Sequence, residues 1–581
     1  MKFKFFAVLL FVTVIVFVAL SQKKNEPFAQ AKDFPRDALV YAQITDLPAF
    51  IKLWNESKLK EKYEESQNFE DFQKHHLAMK LVSRWEEFNA SVGFPIDLET
   101  VSGIAENRAA VAVYDIGKLE FVFIAPMNDE IFNATKFFQN QANFEEQMLE
   151  DGASFYSCDV EADRGRQKQK LLFANLKGRF VLATSQKLLM RTLTNINGKS
   201  KKDRLIDEPL FSNLSEKLAP NLATVWVNQT ALNKDYYFKY YWLMGNIKDL
   251  KNIRAGIFDF EIQEKLLIER REFLLNQAKV NTKISPEKAN QMLAVLPENI
   301  PFYHLQAANS ENVSNAISDT LFDRQIETET DSNSHSNRYN NYDFDDSDWH
   351  DYSSLGEKYD ENVDDVEAEN VFTTKANNDL SRKISQSLQA TNPNTILQTT
   401  RPQILPEPLF AEFNRVTVLK LGAPENLNEE NLENMIAEEM KSRLMISAPN
   451  IGLDWETKNE NGQTWRELNP PSLGWGIAYT LRGNELFFSN NSTFLQEILT
   501  TKNNELKSKN TLNEMTVIRL DQRQSAYDEI MKTIKKSNKN DFFTGNISSL
   551  LDTISDVKQV EIKRNYHENY LHEEVSLILA R

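Results

Sequence analysis

His567-Glu568-Asn569-Tyr570-Leu571-His572 comes nearest of any stretch to a metal-binding signature. A zinc-protease helix needs histidines four residues apart, so that both imidazoles project from one face. Here they are five apart, and the surrounding residues read as a strand, where such positions point to opposite faces. His75-His76 are adjacent on a helical stretch and diverge. Asp343, Asp345, Asp346, Asp348 and Asp351 offer oxygen ligands, but no register supplies the glycine and glutamate that a calcium loop requires. Weak divalent binding, a solvated tether and a segment that orders on a partner all stay open there. Cys158 is the sole cysteine, so no intrachain disulfide forms. It reads as a small half-buried residue of a Phe155–Val160 strand, since a reactive thiol needs a base and a positive setting. Glu573-Glu574 read as solvated acids on an exposed strand end. Arg164 to Lys170 reads as a basic hairpin tip, and Tyr236 to Trp242 as core or inter-repeat packing. The sequence carries no phosphate-cradling glycine loop, dinucleotide fingerprint or nucleophile elbow. The expectation is no catalytic residue, no cofactor and no metal.

The elements that would position such residues follow a repeat. Ala174–Thr184 reads as two strands bent about Leu176-Lys177-Gly178-Arg179-Phe180, followed by a helix carrying Leu188, Leu189 and Leu193. About 300 residues later, Ala478–Ser489 bends about Leu481-Arg482-Gly483-Asn484-Glu485 before a helix carrying Phe494, Leu495 and Leu499. Each turn has a glycine where a positive φ is needed. Further blocks match in the same order: Pro35–Tyr41 with Pro297–Tyr303, Asn107–Val111 with Asn414–Val418, and the helix from Asn128 with that from Asn428. Leu222–Gln229 then matches Met515–Gln522, and Glu264–Leu275 matches Glu568–Leu579. In the first copy, Asp46 reads as a helix N-cap with Pro48 in the first turn. A second helix carries Phe69 through Phe88, and Phe121–Ala125, apolar on both faces, belongs in the centre of a sheet.

The net charge of -17 is concentrated in one place. Glu327–Glu369 holds fifteen acids against two bases, which leaves the rest near neutral and excludes a basic nucleic-acid footprint. Tyr339, Tyr342, Phe344, Trp349 and Tyr352 lie within it and are the candidate partner-binding residues. Residues 325–400, acidic and then rich in Asn, Gln and Thr, read as a disordered insertion. At the N-terminus, Lys2 and Lys4 precede an apolar run from Phe5 to Leu20. Its sixteen residues span about 24 Å as a helix, a little under a ~30 Å hydrocarbon core. An N-in anchor through residues 5–20 and a signal peptide cut after Ala29-Gln30-Ala31 both stay open, and either exports the remainder.

With its apolar N-terminal segment, its Pro35–Tyr41 and Pro297–Tyr303 stretches and its two glycine hairpins, the chain resembles uncharacterised exported bacterial proteins with a duplicated domain of unknown function. The resemblance implies address and architecture and transfers no activity. The expected fold is α+β: two related lobes, each an antiparallel sheet with helices packed on one face, plus an N-terminal apolar helix. The expected domains are 1–31 (anchor or signal), 32–280 (first repeat), 281–324 with 401–581 (second repeat), and the insertion at 325–400. The expected role is a non-catalytic, extracytoplasmic, membrane-tethered envelope protein that binds or scaffolds an unidentified protein or envelope component, with no nucleic acid. A carrier of an apolar ligand held between sheet and helices is the alternative, and an enzyme with an unrecognised site is the third reading.

Overall fold

The computed structural model describes residues 27–579 except 75, 106, 150–153, 161–168, 201, 235–251, 264, 280–281, 323–374, 404–411, 444–452, 470–475, 503–505 and 522–555. The fold is α+β with antiparallel pairing throughout the described strands, divided into two compact units. One is drawn from Met1–Asn281 and Asn538–Arg581, the other from Thr282–Ser537. The N-terminal apolar run lies outside the described residues, and no described helix is long and apolar enough to cross a membrane.

The first unit contains β1 (Val40–Ile44), β2 (Ala109–Asp115), β3 (Glu120–Pro126), β4 (Glu145–Met148), β5 (Ser154–Val160), β6 (Gln169–Asn175), β7 (Arg179–Ala183), β8 (Ala223–Val227), β9 (Ile253–Gln263) and β10 (Leu266–Leu275). The second contains β11 (Phe302–Ala307), β12 (Pro393–Gln403), β13 (Glu412–Leu421), β14 (Glu456–Glu460), β15 (Gln463–Leu468), β16 (Ile477–Arg482), β17 (Glu485–Ser489) and β18 (Glu514–Arg519). The chain then closes with β19 (Val557–His567) and β20 (Tyr570–Leu579), which belong to the first unit.

Pairing in the first unit runs β8-β1-β2-β3-β7-β6-β5-β4. In the second it runs β18-β11-β12-β13-β17-β16-β15-β14, the same succession with each strand number raised by ten. The first sheet extends past β8 through β9, β10, β20 and β19. The glycine hairpins occupy the same place in both successions, between β6 and β7 and between β16 and β17. Their turns differ. Lys177 and Gly178 both have positive φ, 50° and 72°, as a type I′ turn requires. In the other turn Gly483, at 62°, stands first of the two central residues.

Helices cover both faces of each sheet, which corrects the expectation of one covered face. In β3, Phe121 and Phe123 turn toward Phe50, Phe88, Val101 and Phe132, while Val122 and Ile124 turn toward Leu188, Leu193, Phe211 and Leu214. A strand apolar at five consecutive positions exposes apolar surface unless it is roofed on both sides. The second unit repeats this arrangement with helices Ser492–Thr500 and Pro286–Leu293 on one face. Ser310–Ile317, Lys375–Leu388 and Glu429–Arg443 cover the other. The predicted caps form: the Asp46 carboxylate accepts from Ala49 N at 2.9 Å, and Asn309 accepts from Asn312 N at 2.8 Å.

Two boundaries move. The stretch expected to be disordered as far as residue 400 contains the helix Lys375–Leu388 and strand β12, whose Ile384, Leu388, Ile396 and Leu397 are fully buried. Sparse apolar residues suffice when helical and strand spacing put all of them on core-facing sides, and β-branched Thr395, Ile396, Thr399 and Thr400 favour the strand. Because β12 is the counterpart of β2, the Asn414–Val418 block answers β3 rather than the Asn107–Val111 strand. The C-terminal hairpin β19–β20, expected in the second repeat, instead pairs along β10 in the first unit.

Candidate functional site

The densest set of ionisable side chains lies where β10 meets β20. β10 reads Leu266-Leu267-Ile268-Glu269-Arg270-Arg271-Glu272-Phe273-Leu274-Leu275, apolar at both ends and charged in the middle. Cross-strand partners in an antiparallel pair share a face, and neighbours along a strand alternate. Register therefore sorts these charges into two sets.

On one face, Arg271 Nη2 donates to Glu269 Oε2 at 2.6 Å, and Arg271 Nη1 donates to Glu573 Oε1 at 2.7 Å. Arg564 Nε, from β19, closes the chain on Glu573 Oε2 at 2.5 Å. The four groups carry two charges of each sign and neutralise one another. Glu269 and Glu573 are buried. Burial pushes the Glu269 carboxyl above its usual range against the pull of Arg271. Burial works against the Arg271 cation, yet Glu269 and Glu573 outweigh it and raise its pKa. Phe258 stacks nearby, its ring centre 6.0 Å from the Arg271 guanidinium.

The opposite face carries a row that crosses six strands in register: Gln43, Thr224, Asp259, Arg270, Glu574 and Lys563. Asp259 is fully buried and accepts from Asn221 N and from Thr224 Oγ1, both at 2.8 Å. Burial pushes its carboxyl up to about 6, opposed by the Asn221 and Thr224 hydrogen bonds. Arg270 pairs with Glu261 at 2.5 Å. One position along, His572 Nδ1 lies 2.6 Å from the buried Glu272, and this contact holds the imidazole pKa above its usual value against desolvation. The Glu272–His572 pair has the geometry of a base with its orienting acid, so a proton can be held at His572 above the ordinary histidine range. A second, smaller network lies in the other unit. There Arg466 grips Glu433 through two nitrogens at 2.6 and 2.9 Å, while Tyr479 OH donates to Glu433 at 2.7 Å.

Among residues singled out from sequence, His567 and His572 fall on β19 and β20, and only His572 joins the polar set. Glu573-Glu574 are not on an exposed strand end. They sit mid-strand, with Glu573 buried against two arginines and Glu574 on the other face. Their two roles come from strand alternation, which adjacency in sequence conceals. Cys158 is buried in β5, and burial pushes its thiol up to about 11, away from thiolate chemistry. Tyr339, Tyr342, Phe344, Trp349 and Tyr352 lie outside the described residues, as do the Asp343–Asp351 cluster and Tyr236–Trp242. No group of three or more His, Cys, Asp or Glu among the described residues is placed to hold a metal ion. Sequence reading passed over Glu269, Arg271 and Arg564. The signal was present in β10: charges at the centre of an apolar strand require partners.

No protein-family model matches the chain. No curated protein matches it. Among solved structures, crystal form I of TP0453 is similar at a TM-score of 0.24 and 11% identity, over 44% of this chain and 82% of that one. Crystal form III of TP0453 gives 0.24 and 11% over 48% and 90%, and crystal form IV gives 0.23 and 9% over 45% and 83%. Likeness at this level carries no argument about what the chain does.

Proposed function

We propose that this chain is a non-catalytic, membrane-tethered, extracytoplasmic envelope protein that binds or scaffolds another macromolecule through its acidic, aromatic stretch. Export is supported by the sequence pattern of Lys2 and Lys4 followed by the Phe5–Leu20 apolar run, read as an N-in anchor helix. The two units are further proposed to be copies of one module, a reading supported by their shared strand succession.

One observation carries the binding role. In the second unit, the described elements that precede and follow the acidic stretch pack together. Val313, Ile317 and Leu321 share a core with Ile384 and Leu388, and Ser385 Oγ donates to Ser310 O at 2.8 Å. The elements that flank the acidic stretch are thus joined to each other, and the stretch itself is proposed to serve a partner. Fifteen acids interleaved with aromatics suit a basic, aromatic-lined surface.

The test replaces residues 323–374 with a short Gly/Ser linker in the full chain. Unfolding and amide exchange of residues 282–537 should stay as in wild type, while proteins crosslinked in intact cells disappear. Loss of the cooperative transition, or an unchanged set of crosslinked partners, would sink the reading.

A further inference from the structure

We infer that Phe28–Phe34 is a permanent clasp of the first unit, that the chain is not cut after Ala31, and that any processing falls before Phe28. Combined with the export reading proposed above, on which this last step rests, the clasp leaves a leash of seven residues, Ser21–Pro27, between the apolar run and the first unit.

The first observation is burial. Ala29-Gln30-Ala31 has the small-x-small pattern of a signal cleavage site, yet Phe28, Gln30, Ala31, Asp33 and Phe34 are all buried. Phe28 meets Phe211 edge-on at 5.5 Å between ring centres, Phe211 meets Tyr41 at 5.6 Å, and Tyr41 meets Phe34 at 5.3 Å. A cut after Ala31 takes the Phe28 ring and the Ala31 methyl out of this core. Loss of a buried aromatic is among the costliest changes a core undergoes.

The second observation is what fixes the backbone. Phe28 has φ 59°, a left-handed conformation that bulky residues avoid unless packing holds them there. Three separate elements then grip the residues that follow. Arg179, just past the Gly178 turn, donates from Nε to Asp33 Oδ2 at 2.5 Å. Asn195 Nδ2, from the helix Gln186–Ile196, donates to Asp33 O at 3.5 Å, and Leu205 N donates to Phe34 O at 2.9 Å.

The third observation comes from the second unit. There Met292, Leu293, Leu296 and Ile300 precede β11 as Phe28–Phe34 precedes β1, and they share a core with Tyr303 and the helix Ser492–Thr500. In the first unit the clasp shares its core with Tyr41 and the helix Gln186–Ile196. Each sheet thus takes the segment ahead of its first strand as part of its cover. In the second unit that segment lies in mid-chain and cannot be discarded. Seven residues span at most about 25 Å, so an uncut anchor keeps the clasped end of the first unit within that distance of the hydrocarbon boundary.

The experiment expresses the full chain in a bacterial host, separates membrane from soluble fractions and reads the N-terminus by intact mass. The chain should start at or before Phe28. Trypsin is then applied to the native protein. The Lys32 side chain is exposed, but the docked backbone should keep the bond between Lys32 and Asp33 intact until global unfolding. Phe28→Asp, which puts a charge into the aromatic core, should speed that cut by about tenfold or more below the global melt. Should Phe28→Asp not fold, Arg179→Glu, which sets an acid against Asp33, gives the same readout. A chain beginning at Lys32 overturns the inference. So does a bond after Lys32 that is cut rapidly in the folded wild type, or one that stays as resistant in the folded variant. An uncut chain with that bond protected but recovered from the soluble fraction supports the clasp and overturns the membrane tether instead.

Discussion

β3 and β10 are both interior strands of one antiparallel sheet, yet opposite means hold them in place. In β3, Phe121 through Ala125 are all buried and apolar, with aromatic side chains packed on one face and aliphatic ones on the other. In β10, Glu269 through Glu272 are all ionisable, and each has an oppositely charged side chain beside it from its own or a neighbouring strand. An apolar strand gains free energy with any neighbour that excludes water, and a slip of two residues costs it little. A strand with buried ions pays a desolvation cost of several kcal/mol per ion, recovered only when partners are in position. The first kind gives strength and the second gives register.

This contrast can be broken at several points. Phe180, on β7 beside β3, is fully buried against Phe137 at a ring-centre distance of 5.4 Å. Phe180→Ala should cost about 3–5 kcal/mol in denaturant unfolding, through lost transfer energy and an unfilled cavity. Glu573→Ala should cost about 2–4 kcal/mol, because it strands Arg271 and Arg564, both of which keep some solvent contact. Replacing Glu269, Arg271, Glu573 and Arg564 together with apolar residues of similar volume should recover most of that loss. If the quadruple variant is as unstable as the single one, the ions are a source of strength and the contrast fails.

A pH series sharpens the comparison. Asp259 binds its proton more tightly folded than unfolded, since burial lifts its carboxyl from 3.8 to about 6. Its stabilising contribution is therefore full below the unfolded value and declines as pH rises from about 4 to about 6. The decline amounts to about 3 kcal/mol and should be absent in Asp259→Asn. Matching pH profiles for the two proteins would remove Asp259 from the account. The smallest effect belongs to His572, whose folded pKa is raised by Glu272. Its contribution is present below the unfolded histidine value and is lost as pH rises through the folded one. Because the imidazole is partly exposed, the size is below about 1 kcal/mol. Glu272→Gln should return the His572 titration, followed by NMR, toward the ordinary range.

The features legible in sequence were those whose cause is local. Alternation and caps placed the Asp46 helix and both glycine hairpins, and five apolar residues in a row put β3 at the centre of a sheet. Cys158, read as a half-buried residue of a Phe155–Val160 strand, lies in that strand and is buried. Features that needed a distant partner were misread. Glu573-Glu574 looked solvated because no base stands near them in sequence, and the arginine opposite Glu573 is 302 residues away. Lys375–Gln403 looked unable to fold because its few apolar residues seem sparse in a composition window. The helix and strand spacing aims Ile384, Leu388 and Ile396 at the core on one face of the sheet and Leu397 at the core on the other. The second covered face was also missed, although the two-sided strand at Phe121–Ala125 already required it.

By itself, the order of residues determined the alternation of strands and helices, the tight turns at Gly178 and Gly483, the acidic stretch and the apolar start of the chain. Each follows from neighbours within a few positions, through backbone sterics, side-chain period and local charge. The tertiary structure decided that β20 lies along β10, which acids are buried, and which strand counts as third in the second unit. Those outcomes depend on hydrogen-bond ladders and ion pairs between segments hundreds of residues apart, where local periodicity carries no information about the partner.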